Sequence, residues 1–117
     1  MGNENRTAGM ETILIVDDVE TNRLVLEEII KDMGCSPVLA ESGEEALTMA
    51  KEHMPELILS DISMPGMDGY ELCRLLKNDK NTRNIPIIFI SAFDDPMDIV
   101  EGFLLGGEDY ITKPFIP

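Results

Sequence analysis

The sequence predicts an α/β fold, a doubly wound five-stranded parallel sheet with helices on both faces. Two observations predict it. Short apolar runs rich in β-branched residues recur along the chain, as expected for strands that are buried on both faces. Segments with apolar residues at helical spacing lie between these runs. Strands and helices that alternate at this pitch are typical of a parallel sheet with right-handed crossovers.

Five segments have the composition of strands. The first, third and fourth are continuous apolar runs, and the fifth is short. The second contains Pro37, which cannot donate a hydrogen bond to a neighbouring strand, so we expect it near an edge of the sheet. In chain order the strands are residues 13–16, 37–40, 57–59, 87–90 and 110–112.

Four amphipathic helices are predicted between the strands. Gly34 is expected to end the first helix, and Ser42 and Glu45 have the spacing of a capping box that begins the second. Pro55 is expected to end the second helix, and Pro96 stands in the first turn of the fourth. The apolar faces consist of Leu26, Ile29, Ile30 and Met33; of Ala46, Met49 and Ala50; of Leu72, Leu75 and Leu76; and of Val100, Phe103 and Leu104.

Length and composition limit the classes of function. The 117 residues fit one domain, with residues 1–11 as a disordered leader and residues 12–117 as the folded part. The net charge of −14 argues against direct binding of nucleic acid. Neither a membrane span nor a signal peptide is apparent, which favours the cytoplasm. Cys35 and Cys73 are expected to be buried free thiols.

Polar residues end four of the predicted strands. Asp17 and Asp18 follow the first strand, Asp61 the third, Ser91 the fourth and Lys113 the fifth. Ligands of such sheets bind at the carboxyl ends of the strands, so we expect these groups to converge. Each residue taken alone could be a helix cap, a turn residue or an ordinary surface residue. Their occurrence at four strand ends favours a shared site.

The expected group of side chains has the chemistry of a metal and phosphoryl site. Clustered carboxylates repel one another, and a divalent cation such as Mg²⁺ relieves that repulsion while keeping several waters. A lysine supplies a positive charge for phosphoryl oxygens, and a serine hydroxyl can donate to them. No glycine-rich nucleotide-binding loop accompanies these residues. Gly66 and Gly69 are expected to serve the turn after Asp61 through backbone conformations that other residues resist.

Four motifs carry a family resemblance. They are I-L-I-V-D-D, L-I-L-S-D-I-S-M-P-G-M-D-G, I-I-F-I-S-A and D-Y-I-T-K-P-F, in this order. With them the chain resembles the receiver domain of two-component response regulators from about Thr12 onwards. The resemblance implies the strand order 2-1-3-4-5. It also implies a phosphorelay function in which the domain catalyses only its own phosphorylation and dephosphorylation.

The resemblance implies a role for each matched residue. Asp61 matches the phosphoacceptor, which takes its phosphoryl group from a sensor histidine kinase or a phosphotransfer protein. Asp17 and Asp18 match the acidic pair that binds Mg²⁺, or Mn²⁺ as a substitute, together with Asp61 and the backbone carbonyl of Ser63.

Three further residues match positions that respond to the phosphoryl group. Lys113 matches the lysine that pairs with the phosphoryl oxygens. Ser91 matches the hydroxyl residue that moves towards them, and Tyr110 matches the aromatic switch residue. The resemblance thereby implies a conformational change that controls an output domain or a partner.

The resemblance also implies a fifth helix after Lys113-Pro114, which this sequence lacks. We therefore expect a C-terminally truncated receiver with an output domain beyond residue 117. The output could be a DNA-binding domain, a cyclic-dinucleotide enzyme or a kinase. If the chain ends at Pro117, a second copy should cover the exposed sheet face and form a homodimer.

Two other functions are alternatives to the phosphoryl-accepting receiver. A phosphohydrolase of the haloacid dehalogenase type would have D-x-D-x-T after the first strand, whereas this chain has V-D-D-V-E-T. A pseudo-receiver that only binds protein would usually lack one of the five matched residues. None is lost here, so the phosphoryl-accepting receiver is favoured.

Overall fold

The computed structural model describes residues 11–91 and 109–112. Five strands and three helices occur in this part of the chain. The leader before Glu11, the predicted fourth helix and Lys113 lie outside the described residues. The elements are β1 Thr12–Val16, α1 Glu20–Asp32, β2 Ser36–Ala40, α2 Gly43–His53, β3 Leu57–Asp61, α3 Gly69–Lys77, β4 Ile87–Ser91 and β5 Asp109–Thr112.

The five strands form one parallel sheet in the order β2-β1-β3-β4-β5. This confirms the order that the resemblance implied, and it places the proline-containing β2 at an edge as predicted. The chain runs outward from β1 to β2 and then returns to β3 on the other side of β1. The order of the strands reverses at this point, and in sheets of this kind the ligand crevice lies there, at the carboxyl ends of β1 and β3.

The core has two layers, one on each face of the sheet. Alternate residues of each strand point to opposite faces. Leu14 and Val16 of β1 belong to a large cluster with buried residues of α2 and α3. Ile13 and Ile15 belong to a smaller cluster with Leu26 and Ile30 of α1. The helices therefore cover both faces, which explains why the continuous apolar runs of the central strands are stable in water.

The end of α1 partly differs from the prediction. Gly34 has a φ of +82° and stops the helix as expected. Met33 was predicted on the apolar face of the helix but is 67% exposed. The prediction was wrong because α1 ends at Asp32, so that Met33 already belongs to the turn and does not face the sheet.

The beginning of α2 confirms one half of the predicted capping box. The Ser42 hydroxyl accepts a hydrogen bond from the backbone N–H of Glu45 at 3.1 Å. The Glu45 carboxylate, however, accepts from the N–H of Glu41 at 2.7 Å and not from that of Ser42. The helix ends at His53, two residues before Pro55, and Met54 adopts a left-handed conformation with a φ of 45°.

Both cysteines are free thiols, as predicted. Cys73 is fully buried, whereas Cys35 is only half-buried, so the prediction that both are buried is correct for Cys73 alone. Among the residues that the structure describes, no helix has the length and apolarity needed to cross a membrane.

Candidate functional site at the carboxyl ends of the strands

Three carboxylates converge at the crevice between β1 and β3. Asp17, Asp18 and Asp61 each offer an oxygen atom, and these atoms lie within 4.8 Å of one another. The sheet register explains this convergence, because Val16 pairs with Ser60 and the next residues along the two strands are Asp17 and Asp61. Asp17 is 0% exposed and Asp61 is 4% exposed, whereas Asp18 faces solvent.

Several bonds hold Asp17 in place. Its backbone N–H donates to the carbonyl of Ala40 at 3.2 Å, which ties the end of β1 to β2. One carboxylate oxygen, Oδ1, accepts from the N–H of Val19 at 2.9 Å and from the Asn22 amide at 3.5 Å. The capping residue of α1 is Val19. The Asp17 side chain thus fixes the turn before α1 and does not itself cap the helix.

Arg23 makes a further contact to Asp17 that sequence reasoning missed. The Arg23 guanidinium donates to the backbone carbonyl of Asp17 at 2.7 Å. It also lies 3.7 Å from the carboxylate of Glu41, which directly follows β2. The signal in the sequence was the Asn22-Arg23 pair, five and six residues after Asp17. That spacing allows a side chain in the first turn of a helix to reach back to the preceding strand end.

The turn after Asp61 is built around two glycines. Gly66 has a φ of +76°, as expected for a residue that other side chains resist. Gly69 is required for a different reason: a Cβ atom there would collide with the carbonyl of Asp61 and lie 2.9 Å from the Cα of Ile62. Its N–H donates to the carbonyl of Ile62 at 2.8 Å. Lack of space, and not an unusual φ, therefore demands glycine at position 69.

For the remaining predicted site residues, the structure gives only the position in the fold, and Lys113 is not among the residues that it describes. Ser91 ends β4 and follows Ile90, which pairs with Asp61, so it belongs to the same edge of the sheet. Tyr110 lies in β5. Ser63 is exposed in the turn after Asp61. The roles expected for these residues stay predictions.

The donor set of the crevice fits a hard divalent cation. Carboxylate oxygens are the ligands that Mg²⁺ prefers, and a few of them suffice because this ion keeps several waters. Three carboxylates whose oxygens lie within 4.8 Å of one another meet that requirement. Cysteine and histidine, which softer metals prefer, do not join the cluster within the described residues.

Comparison with known proteins identifies the family. The sequence profile described as "Response regulator receiver domain" matches residues 13–117. The chain belongs to this family. Receiver domains are signalling domains of two-component systems, and they bind Mg²⁺ at an acidic pocket such as the one described above. Membership confirms the resemblance that the four motifs carried.

Two individual relatives are similar in sequence, and a solved structure is similar in fold. The chain is 43% identical over 102 residues to the response regulator PleD of Caulobacter vibrioides, covering 87% of this chain but 22% of that protein. It is 35% identical to protein PilG of Pseudomonas aeruginosa, covering 96% of this chain and 82% of PilG. The crystallised chemotaxis protein CheY4 of Vibrio cholerae superimposes with a TM-score of 0.88 at 30% identity, covering 92% of this chain and 90% of that one. The chain thus spans about a fifth of PleD and most of PilG and CheY4.

Proposed function

We propose that this receiver accepts a phosphoryl group on Asp61 from a phosphohistidine of a sensor histidine kinase or a phosphotransfer protein. The observation that carries the proposal is the convergence of Asp17, Asp18 and Asp61 at the crevice between β1 and β3. Asp61 is the last residue of a central strand: it pairs with Ile90 of β4, and Ser60 before it pairs with Val16 of β1. A nucleophile held this rigidly can be oriented for in-line attack.

In the proposed reaction a carboxylate oxygen of Asp61 attacks the phosphorus atom. A P–O bond to Asp61 forms while the P–N bond to the imidazole of the donor breaks. Asp17, Asp18 and Asp61, with the backbone carbonyl of Ser63, would hold Mg²⁺ or Mn²⁺. When bound, such an ion offsets the mutual repulsion of the carboxylates and stabilises negative charge on the phosphoryl oxygens.

The other predicted residues complete the proposal. Lys113 pairs with the phosphoryl oxygens, and Ser91 moves towards them. Tyr110 responds to this movement and alters the surface that an output domain or partner recognises. The receiver comprises residues 12–117 after a short leader, acts in the cytoplasm, and catalyses only its own phosphorylation and dephosphorylation.

Mass spectrometry after incubation with acetyl phosphate and Mg²⁺ tests the proposal. One phosphate should be added, and hydroxylamine should remove it, as it removes acyl phosphates. Asp61→Asn should abolish the addition. Asp68→Asn is a matched control because Asp68 caps α3 outside the acidic cluster, and asparagine caps helices equally well. Full phosphorylation of the Asp61→Asn protein would refute the assignment of Asp61.

A further inference from the structure

We propose that Arg23 is a positioning residue that orients Asp18 for binding of the divalent cation. This inference rests on the proposed function, because it concerns the metal-binding step of the same site. It assigns a role to a side chain that the expected set of acidic, hydroxyl and lysine residues does not include.

The side chain of Arg23 is largely buried. It is only 12% exposed, which is unusual for an arginine unless the guanidinium is well paired. One nitrogen, Nη1, donates to the Asp17 carbonyl at 2.7 Å, and Nη2 lies 3.7 Å from a carboxylate oxygen of Glu41. The planar guanidinium can serve both partners at once, whereas a lysine would offer a single charged nitrogen.

The carboxylate of Asp18 depends on its backbone for orientation. This residue is exposed, and within residues 11–91 and 109–112 no hydrogen bond or ion pair holds its side chain. The direction of its carboxylate is therefore set by the backbone that carries it. The peptide group before Asp18 contains the Asp17 carbonyl, which is the acceptor of Arg23. Arg23 therefore fixes the plane of the peptide from which Asp18 projects.

A closed network of bonds surrounds this peptide. The N–H of Asp17 donates to Ala40, and Glu41, the next residue after Ala40, faces the guanidinium of Arg23. The ends of β1 and β2 and the first turn of α1 are thus joined through one side chain. The Glu41 carboxylate is 74% exposed, so its ion pair contributes little, and the bond to the Asp17 carbonyl matters most.

Orientation of Asp18 by Arg23 favours cation binding, whereas the positive charge of Arg23 opposes it. Charge alone would repel Mg²⁺, so its removal would strengthen binding if Arg23 had no positioning role. The two roles therefore predict opposite changes in affinity. Partners that orient metal ligands typically contribute about tenfold to a hundredfold in affinity. The Glu41 carboxylate, 3.7 Å away, partly offsets the charge of Arg23, so the loss of orientation should outweigh the relief of repulsion.

Isothermal titration calorimetry with Mg²⁺ measures the effect. Arg23→Met should weaken binding about tenfold. Lys31→Met is the matched control, because Lys31 lies on the same helix, carries the same charge and pairs with Glu27 away from the acidic cluster. Its affinity should stay within about twofold of the original. Unchanged or tighter binding by the Arg23→Met protein would overturn the positioning role.

A double-mutant cycle separates positioning from general destabilisation. If Arg23 acts through Asp18, Arg23→Met should have little effect on Mg²⁺ affinity in a protein that already carries Asp18→Asn. Equal losses in both backgrounds would overturn the inference. A readout without metal is the NMR signal of the Asp18 and Val19 amides, which should shift in Arg23→Met and not in Lys31→Met. If Arg23→Met does not fold, Arg23→Lys enters the same cycle, with a smaller loss expected.

The outcome is distinguishable from failure of the proposed function. If Asp61 accepts no phosphate from acetyl phosphate but the cycle behaves as expected, the proposed function is wrong and the positioning role stands. If phosphorylation proceeds and the cycle is additive, only the role of Arg23 is lost.

Discussion

Gly69 lies against the backbone of Asp61 so closely that no side chain can be accommodated. A Cβ atom at position 69 would collide with the Asp61 carbonyl and lie 2.9 Å from the Cα of Ile62. The obstacle is backbone at the end of β3, which cannot move without disturbing the strand. The first residue of α3 is therefore packed directly against the proposed phosphoacceptor.

Gly69→Ala should destabilise the fold and impair the site. Overpacking against the backbone is expected to lower the free energy of unfolding by about 2–3 kcal/mol, despite the better helix propensity of alanine. Phosphorylation of Asp61 by acetyl phosphate should slow as its backbone shifts. Gly34→Ala is the control, because its φ is +82° and no atom lies within 4 Å of the added Cβ. That variant should cost about 1 kcal/mol in urea unfolding and leave phosphorylation unchanged. Equal stability of Gly69→Ala and the original chain would contradict this account.

The two aspartates after β1 should contribute differently to cation affinity. Asp18→Asn should weaken Mg²⁺ binding by more than about tenfold, because it removes the exposed carboxylate of the cluster. Asp17→Asn should weaken it less, because asparagine keeps an oxygen that can accept from the N–H of Val19. Calorimetric titration of both variants measures the difference. Unchanged affinity in both would exclude the acidic cluster as the metal site.

Without metal, the same substitution should have the opposite effect on stability. Three carboxylates with oxygens within 4.8 Å of one another repel, so Asp18→Asn should raise the midpoint of thermal unfolding in the presence of a chelator. Saturating Mg²⁺ should stabilise the original chain more than the variant, since only binding to the folded state adds stability. A lower midpoint for the variant in the chelator would show that repulsion is not significant in this cluster.

Met54 should be replaceable by glycine with a gain in stability. It is the C-cap that follows α2 and has a φ of 45°, a left-handed conformation that costs a residue with a Cβ atom about 1 kcal/mol. Met54→Gly should raise the free energy of unfolding by up to about that amount. Met33→Gly is the matched control, because Met33 is the C-cap that follows α1, and with a φ of −84° it gains no relief from glycine. In urea unfolding, the free energy of unfolding of Met33→Gly should be unchanged or lower. A rise in Met33→Gly without a rise in Met54→Gly would refute the strain assigned to Met54.

The buried thiol should make the fold sensitive to alkaline pH. Burial raises the pKa of Cys73 above its ordinary value of 9.0, and the positive charge of Lys77 only partly offsets this. Below pH 9.0 the thiol is protonated in both states, and its contribution to stability is fully present. At higher pH the unfolded thiol ionises first, so this contribution is lost as the pH rises through the raised pKa.

Urea unfolding under reducing conditions measures that loss. Above pH 9.0 the stability of the original chain should fall more steeply with pH than that of Cys73→Ala. The extra slope is at most about 1.4 kcal/mol per pH unit for one proton. Cys35→Ala, which changes the half-buried thiol, serves as the control and should keep the steep slope. Parallel pH profiles for the Cys73→Ala protein and the original chain would contradict the assignment.

The sequence by itself determined the fold class, the order of the elements and the three acids. Apolar runs without polar positions can be stable only in a sheet covered on both faces, and the period of the intervening segments is that of helices. Asp17, Asp18 and Asp61 were identifiable because they follow such runs, and parallel strands bring their carboxyl ends to one edge. These inferences depend on local composition, which a single sequence shows, and on general rules of sheet topology.

Only the tertiary structure decided which side chains support the acids. The bond from Arg23 to Asp17 joins a helix to a strand end, and the packing of Gly69 on Asp61 depends on the path of the intervening turn. The Asn22-Arg23 spacing permits the first contact but does not require it, because a charged residue in a helix is usually solvated. The second contact has no local signature, because a glycine usually marks a turn. Met33 likewise has helical spacing, yet it is exposed because the helix ends one residue earlier. The positions of Arg23, Gly69 and Met33 relative to their neighbours depend on how the elements pack, which local sequence patterns do not specify.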